Sequence, residues 1–251
     1  MAEIHYAQLQ KKLEEAVHQS LPTGEKVGVA FSGGLDSGTI AFIAKTFSPN
    51  VVLLVVGTRG SMDIARAVPL AQGWGVPIHV KELTEGEINY YAARAARVLD
   101  TTDFLQVTLG SVNLAIMEWA HAKGIRHVLG GSGADELFAG YAAFEQCRGD
   151  AGACEQLRTE KVENVETHDV MREVLCAQEY GITLHAPYLE EEFMKEALAI
   201  PAIENLEGKY GEIRKNVLRT LAEKMGVPHA IVSAPKKAMQ YGSGVRKTRK
   251  N

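Results

Sequence analysis

Val27-Gly28-Val29-Ala30-Phe31-Ser32-Gly33-Gly34-Leu35-Asp36-Ser37-Gly38 carries the strongest structural signal in the chain. Its first five residues are short, β-prone and apolar on both faces, as in a strand buried inside a parallel sheet. Two adjacent glycines follow, and helical spacing begins at Gly38 and runs to Phe47. A glycine pair between strand and helix lets the backbone adopt φ > 0 and approach a ligand closely. Its N–H groups form a concave nest for anionic oxygens, strengthened by the positive end of the helix. Ser32 and Ser37 add hydroxyl donors, and Asp36 offers a carboxylate to a Mg²⁺ bridging phosphates. The spacing is not that of a Walker loop, which has four residues between its glycines and ends in Lys-Ser/Thr.

Outward from this turn, apolar runs recur at Val51–Val56, Ile78–Val80 and His127–Leu129. Segments with helical spacing lie between them, at Asp63–Trp74 and Val112–Lys123, and an amphipathic helix spans 4–17. Strand alternating with helix predicts an α/β fold: an open parallel sheet with helices on both faces. Residues 145–165 are polar and weakly periodic, which predicts a mobile excursion. From Glu166 to Ala222 the pattern is mostly helical, broken at His185-Ala186-Pro187 and at Pro201. The organisation expected is one domain over 1–251, with a nucleotide-binding core at 1–141 and a mostly helical part at 142–251.

Composition narrows the class. The 251 residues are 46% apolar and 23% charged, with 27 Lys+Arg against 31 Asp+Glu and a net charge of −4. These values exclude global disorder, collagen-like repeats and a coiled coil. They also argue against a protein that grips nucleic acid by bulk charge. The longest apolar run, Val51–Val56, is far below the ~20 residues of a membrane helix. Cys147, Cys154 and Cys176 are odd in number without a C-x-x-C pair, which suits a reducing compartment rather than a disulfide framework. With no signal peptide at Met1-Ala2-Glu3, a soluble cytoplasmic protein is expected.

A second glycine turn follows the strand at 127–129: Gly130-Gly131-Ser132-Gly133-Ala134-Asp135-Glu136-Leu137-Phe138-Ala139-Gly140-Tyr141. Ser32-Gly33-Gly34-Leu35-Asp36-Ser37 resembles the signature of the PP-loop ATP pyrophosphatases, which split ATP between the α and β phosphates. The second turn resembles the Ser-Gly-x-Gly-[Ser/Ala]-Asp-Glu-Leu-Phe-Gly-Gly-Tyr segment of asparagine synthetase C-terminal domains. Other pieces match in order. Val56-Gly57 followed by Gly60-Ser61-Met62-Asp63 resembles the family's second strand and the loop beside the nucleotide, and His185-Ala186-Pro187-Tyr188-Leu189 the Arg-x-Pro-Phe-Leu-Asp element, with His for Arg. Lys215-Asn216-Val217-Leu218-Arg219 is similar to a Lys-x-x-Leu-Arg helix, and Pro235-Lys236-Lys237 with Gly242-Ser243-Gly244 to the C-terminal Lys loop. The likeness runs over roughly residues 5–245.

The resemblance implies an AMP-forming ligase that adenylates a small carboxylate with ATP and Mg²⁺ and forms an amide. ATP is expected with adenine against the backbone of Ala30, Phe31 and Val56, and phosphates over Ser32, Gly33, Gly34, Asp36 and Ser37, with Gly131 and Lys215 beside them. Asp36 and Asp135 are the implied metal ligands, and Lys236, or its neighbour Lys237, the implied catalytic cation. Ser132 stands where the family carries Glu or Tyr, thought to help deprotonate the attacking amine. A hydroxyl is a poor base near neutral pH, so aspartate amidation is less secured than adenylation. The first cysteine, Cys147, is no N-terminal nucleophile, so the expectation is a stand-alone synthetase without the glutaminase domain. Its nitrogen then comes from ammonia, a separate glutaminase partner or a substrate amine. Two other classes stay open: a PP-loop sulfur transferase acting on RNA through its three cysteines, and a non-catalytic nucleotide-binding module.

Overall fold

The computed structural model describes residues 4–165, 169–210, 214–235 and 238–248. Five strands form one parallel sheet: β1 (Val27–Ala30), β2 (Val51–Thr58), β3 (Ile78–Leu83), β4 (His127–Leu129) and β5 (Thr183–His185). Their spatial order is β3-β2-β1-β4-β5. The chain builds outward from β1 in one direction and then returns to the other side, so the order reverses between β1 and β4. Ligands of open α/β sheets bind beyond the strands' carboxyl ends at such a reversal.

Side chains along β2 show why the sheet is covered on both faces. Val51, Leu53 and Val55 enter one core with Val27, Val29 and Leu129, whereas Val52, Leu54 and Val56 enter the other with Val128. This is the period-2 alternation of a strand, with both faces apolar. Helices α1 (Tyr6–Gln19) and α2 (Leu35–Phe47) cover the first face. The second is covered by α4 (Glu85–Val98), α5 (Phe104–Ala122) and α8 (Met171–Gln178), while α3 (Met62–Trp74) packs Ala67 and Ala71 onto the first.

Three sequence expectations change. Residues 145–165 are not an excursion: a 3₁₀ turn at Ala142–Cys147 leads into α7 (Ala151–Val165). The helix escapes a periodicity reading because an arginine anchors it. Arg158, 1% exposed, donates to the carbonyls of Leu198 and Ile200 at 3.0 and 2.7 Å. The cysteines are not three independent thiols either. Cys147 and Cys154 pair as a disulfide with Cα atoms 5.2 Å apart, because the turn folds the start of α7 back onto the 3₁₀ segment. Finally, α5 begins at Phe104 rather than 112, with the Asp103 carboxylate accepting from the Gln106 N–H at 2.7 Å. The early turns matter because they line the site. The short β5, at the break after α8, adds a fifth strand that its three residues do not announce.

Candidate active site

The β1 turn is a compact network. Ser37 Oγ accepts from the Ser32 N–H at 3.2 Å and lies 3.2 Å from Ser32 Oγ, which accepts from the Gly34 N–H. Gly33 has φ +72°, and a Cβ there would come within 2.8 Å of Arg66 Cβ, so the turn admits no side chain. Helix α2 starts at Leu35, which puts Asp36 in its first turn.

The β4 turn is pressed against it. A Cβ on Gly131 would lie 3.1 Å from Asp36 Cβ and 3.3 Å from the Ser37 nitrogen. Gly133, with φ +94°, caps the short helix α6 (Ala134–Leu137) that carries Asp135. Here the Asp36 and Asp135 carboxylates converge on one cationic atom: Lys215 Nζ lies 2.6 Å from Asp36 Oδ1 and 2.7 Å from Asp135 Oδ1. The lysine is 1% exposed and holds the left-handed conformation (φ +66°) at the N-cap of α10 (Asn216–Lys224). Two carboxylates that share one cation beside a glycine turn also suit a hard divalent ion, so the donor set fits Mg²⁺.

Remote segments hold these turns. Tyr188, in the 3₁₀ turn Pro187–Leu189, is fully buried and donates its hydroxyl to the Asp36 carbonyl at 3.1 Å. Leu189 packs where a Cβ on Gly133 would sit. His185 stacks on His127 with ring nitrogens 3.0 Å apart, and burial lowers its proton affinity. Arg219, four residues after Lys215, donates to the carbonyls of Val232 and Ala234, tying the segment before Lys236 to α10. On the far side, Thr58 donates its N–H to the Ser243 carbonyl at 2.8 Å, docking the Gly242–Gly244 segment on the end of β2. Lys236 and Lys237 lie outside the described residues; Pro235 and Ala238 on either side line the cavity.

That cavity encloses about 900 Å³, the size of a ligand pocket. It gathers Ala30, Phe31, Ser32, Gly34, Asp36, Ser37, Val56, Gly131, Ser132, Asp135 and Lys215. Gly33 is not part of its lining and supports the turn from behind against α3.

The cavity also holds a group that the sequence reading missed. Ser132 Oγ donates to Glu173 Oε2 at 2.6 Å. Glu173, on α8, is buried, and burial raises its pKa above the usual carboxylate range against the lowering effects of Ser132 and Arg172. Arg172, 5% exposed, pairs with Asp169 and Gln106, each at 2.8 Å, and its Nε has no partner among the described residues. Glu136 is likewise raised by burial while accepting from Tyr141. The signal available was an Arg-Glu pair inside a short helix, which no local pattern connects to residue 132.

Among the described residues no cluster of three or more His, Cys, Asp or Glu could hold a metal through protein ligands alone. Cys176 is buried in a different core from the Cys147–Cys154 pair, so the cysteines do not converge as a cluster site requires. No helix of the described residues is long and apolar enough to cross a membrane.

A parallel sheet with two glycine turns meeting at its reversal, each delivering a carboxylate, is the arrangement that the sequence's resemblance to the PP-loop class leads one to expect. The asparagine synthase family profile matches residues 8–164 and 150–251, and the chain belongs to that family. A putative glutamine-hydrolyzing asparagine synthetase 1 of Methanocaldococcus jannaschii is 32% identical, aligned over 95% of this chain and 50% of its own length. Asparagine synthetase B of Escherichia coli is 25% identical over 94% of this chain and 45% of its own length. The chain therefore spans about half the length of the curated relatives it matches. Among solved structures, an NMN synthetase from Francisella tularensis aligns over 98% of this chain and 93% of its own with a TM-score of 0.44 and 14% identity, too loose a likeness to bear on function.

Proposed function

We propose that this chain is the synthetase unit of an AMP-forming, ATP-dependent ligase that adenylates a carboxylate and transfers the acyl group to an amine. One observation carries the reading: Asp36 and Asp135, from the turns after β1 and β4, share a single cation beside the β1 glycine turn. That arrangement suits a polyphosphate whose bridging charge must be held while one P–O bond breaks.

The N–H groups of the β1 turn and the start of α2 hold the phosphates. A carboxylate oxygen of the substrate attacks the α-phosphorus, the α–β bridging bond breaks, and pyrophosphate leaves. Asp36 and Asp135 are the residues that would hold Mg²⁺, which would supply charge neutralisation to the phosphates. Lys236 adds positive charge to the departing pyrophosphate, and Arg172 Nε offers a donor to the substrate. The amine then attacks the acyl carbon, AMP leaves, and the amine gives up a proton. Glu173 accepts it, with Ser132 as the hydrogen-bonded hydroxyl beside it. Burial brings the Glu173 carboxyl closer to the near-neutral proton affinity that a general base needs. The base of the second half-reaction thus comes from α8, not from the turn position where the family carries Glu or Tyr. The nitrogen is supplied as ammonia, by a separate glutaminase or by an amine on the substrate.

The test is an ATP–pyrophosphate exchange screen over amino acids and related carboxylates with Mg²⁺. Exchange that depends on one class of carboxylate is the expected result. Tight ATP binding with no exchange for any carboxylate would make the chain a nucleotide-binding module instead.

A further inference from the structure

Toward the apolar end of the cavity one buried amide lacks a protein partner. Asn113 is 3% exposed, lines the cavity, and its Nδ2 makes no hydrogen bond among the described residues. A buried N–H that has lost water without gaining a partner is a net cost to folding, and it calls for a specific explanation.

The surroundings supply one. Asn113 shares its helix face with Leu109 and Ile116, at the i−4 and i+3 positions, and both line the same cavity, as does the adjacent Val112. Ala30 and Val56, near the ends of β1 and β2, also line it, and the phosphate-type turn starts two residues after Ala30. The charged lining lies elsewhere. Gln106, which bonds Arg172, is on the same helix about 10 Å before Asn113 along its axis. Helix α5 therefore runs from the charged end of the cavity, near Ser132 and Glu173, into an apolar end whose one unsatisfied demand is an amide.

A group suited to that end is flat, apolar on its faces and polar at its rim, and is joined to phosphates next door. A carboxamide presents a donor and an acceptor side by side, matching the 6-amino group and neighbouring ring nitrogen of adenine. We propose that Asn113 reads the adenine edge of the bound nucleotide, so that one side chain adds base selectivity to the apolar walls. The proposal rests on the ATP reading above and adds to it the residue that recognises the base.

The experiment compares the affinity of ATP with that of its 6-deaminated analogue, purine riboside triphosphate, both with Mg²⁺. It uses the wild-type chain, Asn113→Leu, which is nearly isosteric, and Asn113→Ala, which leaves room should leucine overfill the site. The wild type is expected to prefer ATP by roughly ten- to a hundred-fold, the range for a paired base edge. In either folded variant that preference falls to about one, because ATP loses the bonds to both its 6-amino group and its ring nitrogen whereas the analogue loses only the second. The nucleotide-free Asn113→Leu chain melts no lower than wild type, since an unpaired amide has been removed; a residue needed for packing alone would give the reverse. ATP preference that survives in a folded variant, or is missing in the wild type, overturns the proposal and leaves the ATP reading standing. Failure of the wild type to bind either triphosphate overturns both.

Discussion

The two glycine turns of the site are built on opposite plans. The loop after β1 ties itself together from its own residues, Ser32, Gly34 and Ser37 hydrogen-bonding one another within six positions, and reaches outside chiefly at Asp36, which meets Lys215 and Tyr188. The turn after β4 borrows nearly everything. Ser132 meets Glu173, Asp135 meets Lys215, and Gly133 meets Leu189. The Gly130 N–H goes to the His185 carbonyl at 2.9 Å. A phosphate nest can be made locally because backbone N–H groups suffice. Acid–base chemistry needs a titratable group whose surroundings shift its proton affinity, and burial of that kind is assembled from distant segments.

The largest effects should come from the point where the two plans meet. Asp36→Asn and Asp135→Asn each remove half of the shared cation site. Turnover should fall about a thousand-fold or more, as for loss of ~4 kcal/mol of preorganised charge. Steady-state kinetics at saturating ATP check this; a loss below ten-fold in either variant would break the claim that both turns serve one centre.

Next is the borrowed base. Glu173→Gln keeps a hydrogen-bond acceptor for Ser132 but takes up no proton, so turnover should drop about 10²- to 10⁴-fold. The pH profile of the wild type should show its acid limb above the ordinary glutamate range. Stability should move the other way. Because the folded pKa of Glu173 is raised, its favourable contribution is complete at acid pH and is lost as pH rises through that pKa. The Gln variant should therefore gain on wild type in thermal midpoint between acid and neutral pH. Parallel pH dependence of the two melting curves would rule out Glu173 as the base.

Lys215→Met leaves two carboxylates facing each other without their ammonium. A destabilisation of about 3 kcal/mol is expected, measured by urea unfolding. Millimolar Mg²⁺ should restore more of it in the variant than it adds to wild type. Equal Mg²⁺ shifts in both would separate the lysine from the cation site.

The smallest effect tests the turn's backbone. Ala139 sits at φ +51° where the family segment has Gly. Ala139→Gly should stabilise the chain by about 1 kcal/mol by relieving left-handed strain, seen as a higher thermal midpoint with unchanged turnover.

The same contrast explains what the sequence disclosed. The parallel sheet was legible because β2 alternates apolar side chains into two cores, a pattern that local composition records. Ser32 and Ser37 were legible because their partners are neighbours in sequence, and Asp36 because it stands in the same glycine turn, although its partner Lys215 is 179 positions away. Glu173 was not, since nothing near it points to Ser132, 41 positions away. Helix α7 stayed hidden because Arg158, a residue type that reads as solvated, is its buried anchor. Helix α4 carries a Thr84–Glu87 capping box that marks its start, yet it is absent from the helices expected from apolar spacing. Arg219 shows a further limit: the Lys-x-x-Leu-Arg resemblance found it, while its work of holding the Val232 and Ala234 carbonyls appears only in three dimensions.

Which phosphate bond the chain breaks is the most direct test of a site shared by the two turns. Incubation with α-labelled ATP, Mg²⁺, an amine and the carboxylate that supports exchange should release the label as AMP, with pyrophosphate in equal amount. Label recovered solely as ADP would mean attack at the γ-phosphorus, and would contradict a site built by two turns around the α–β bond.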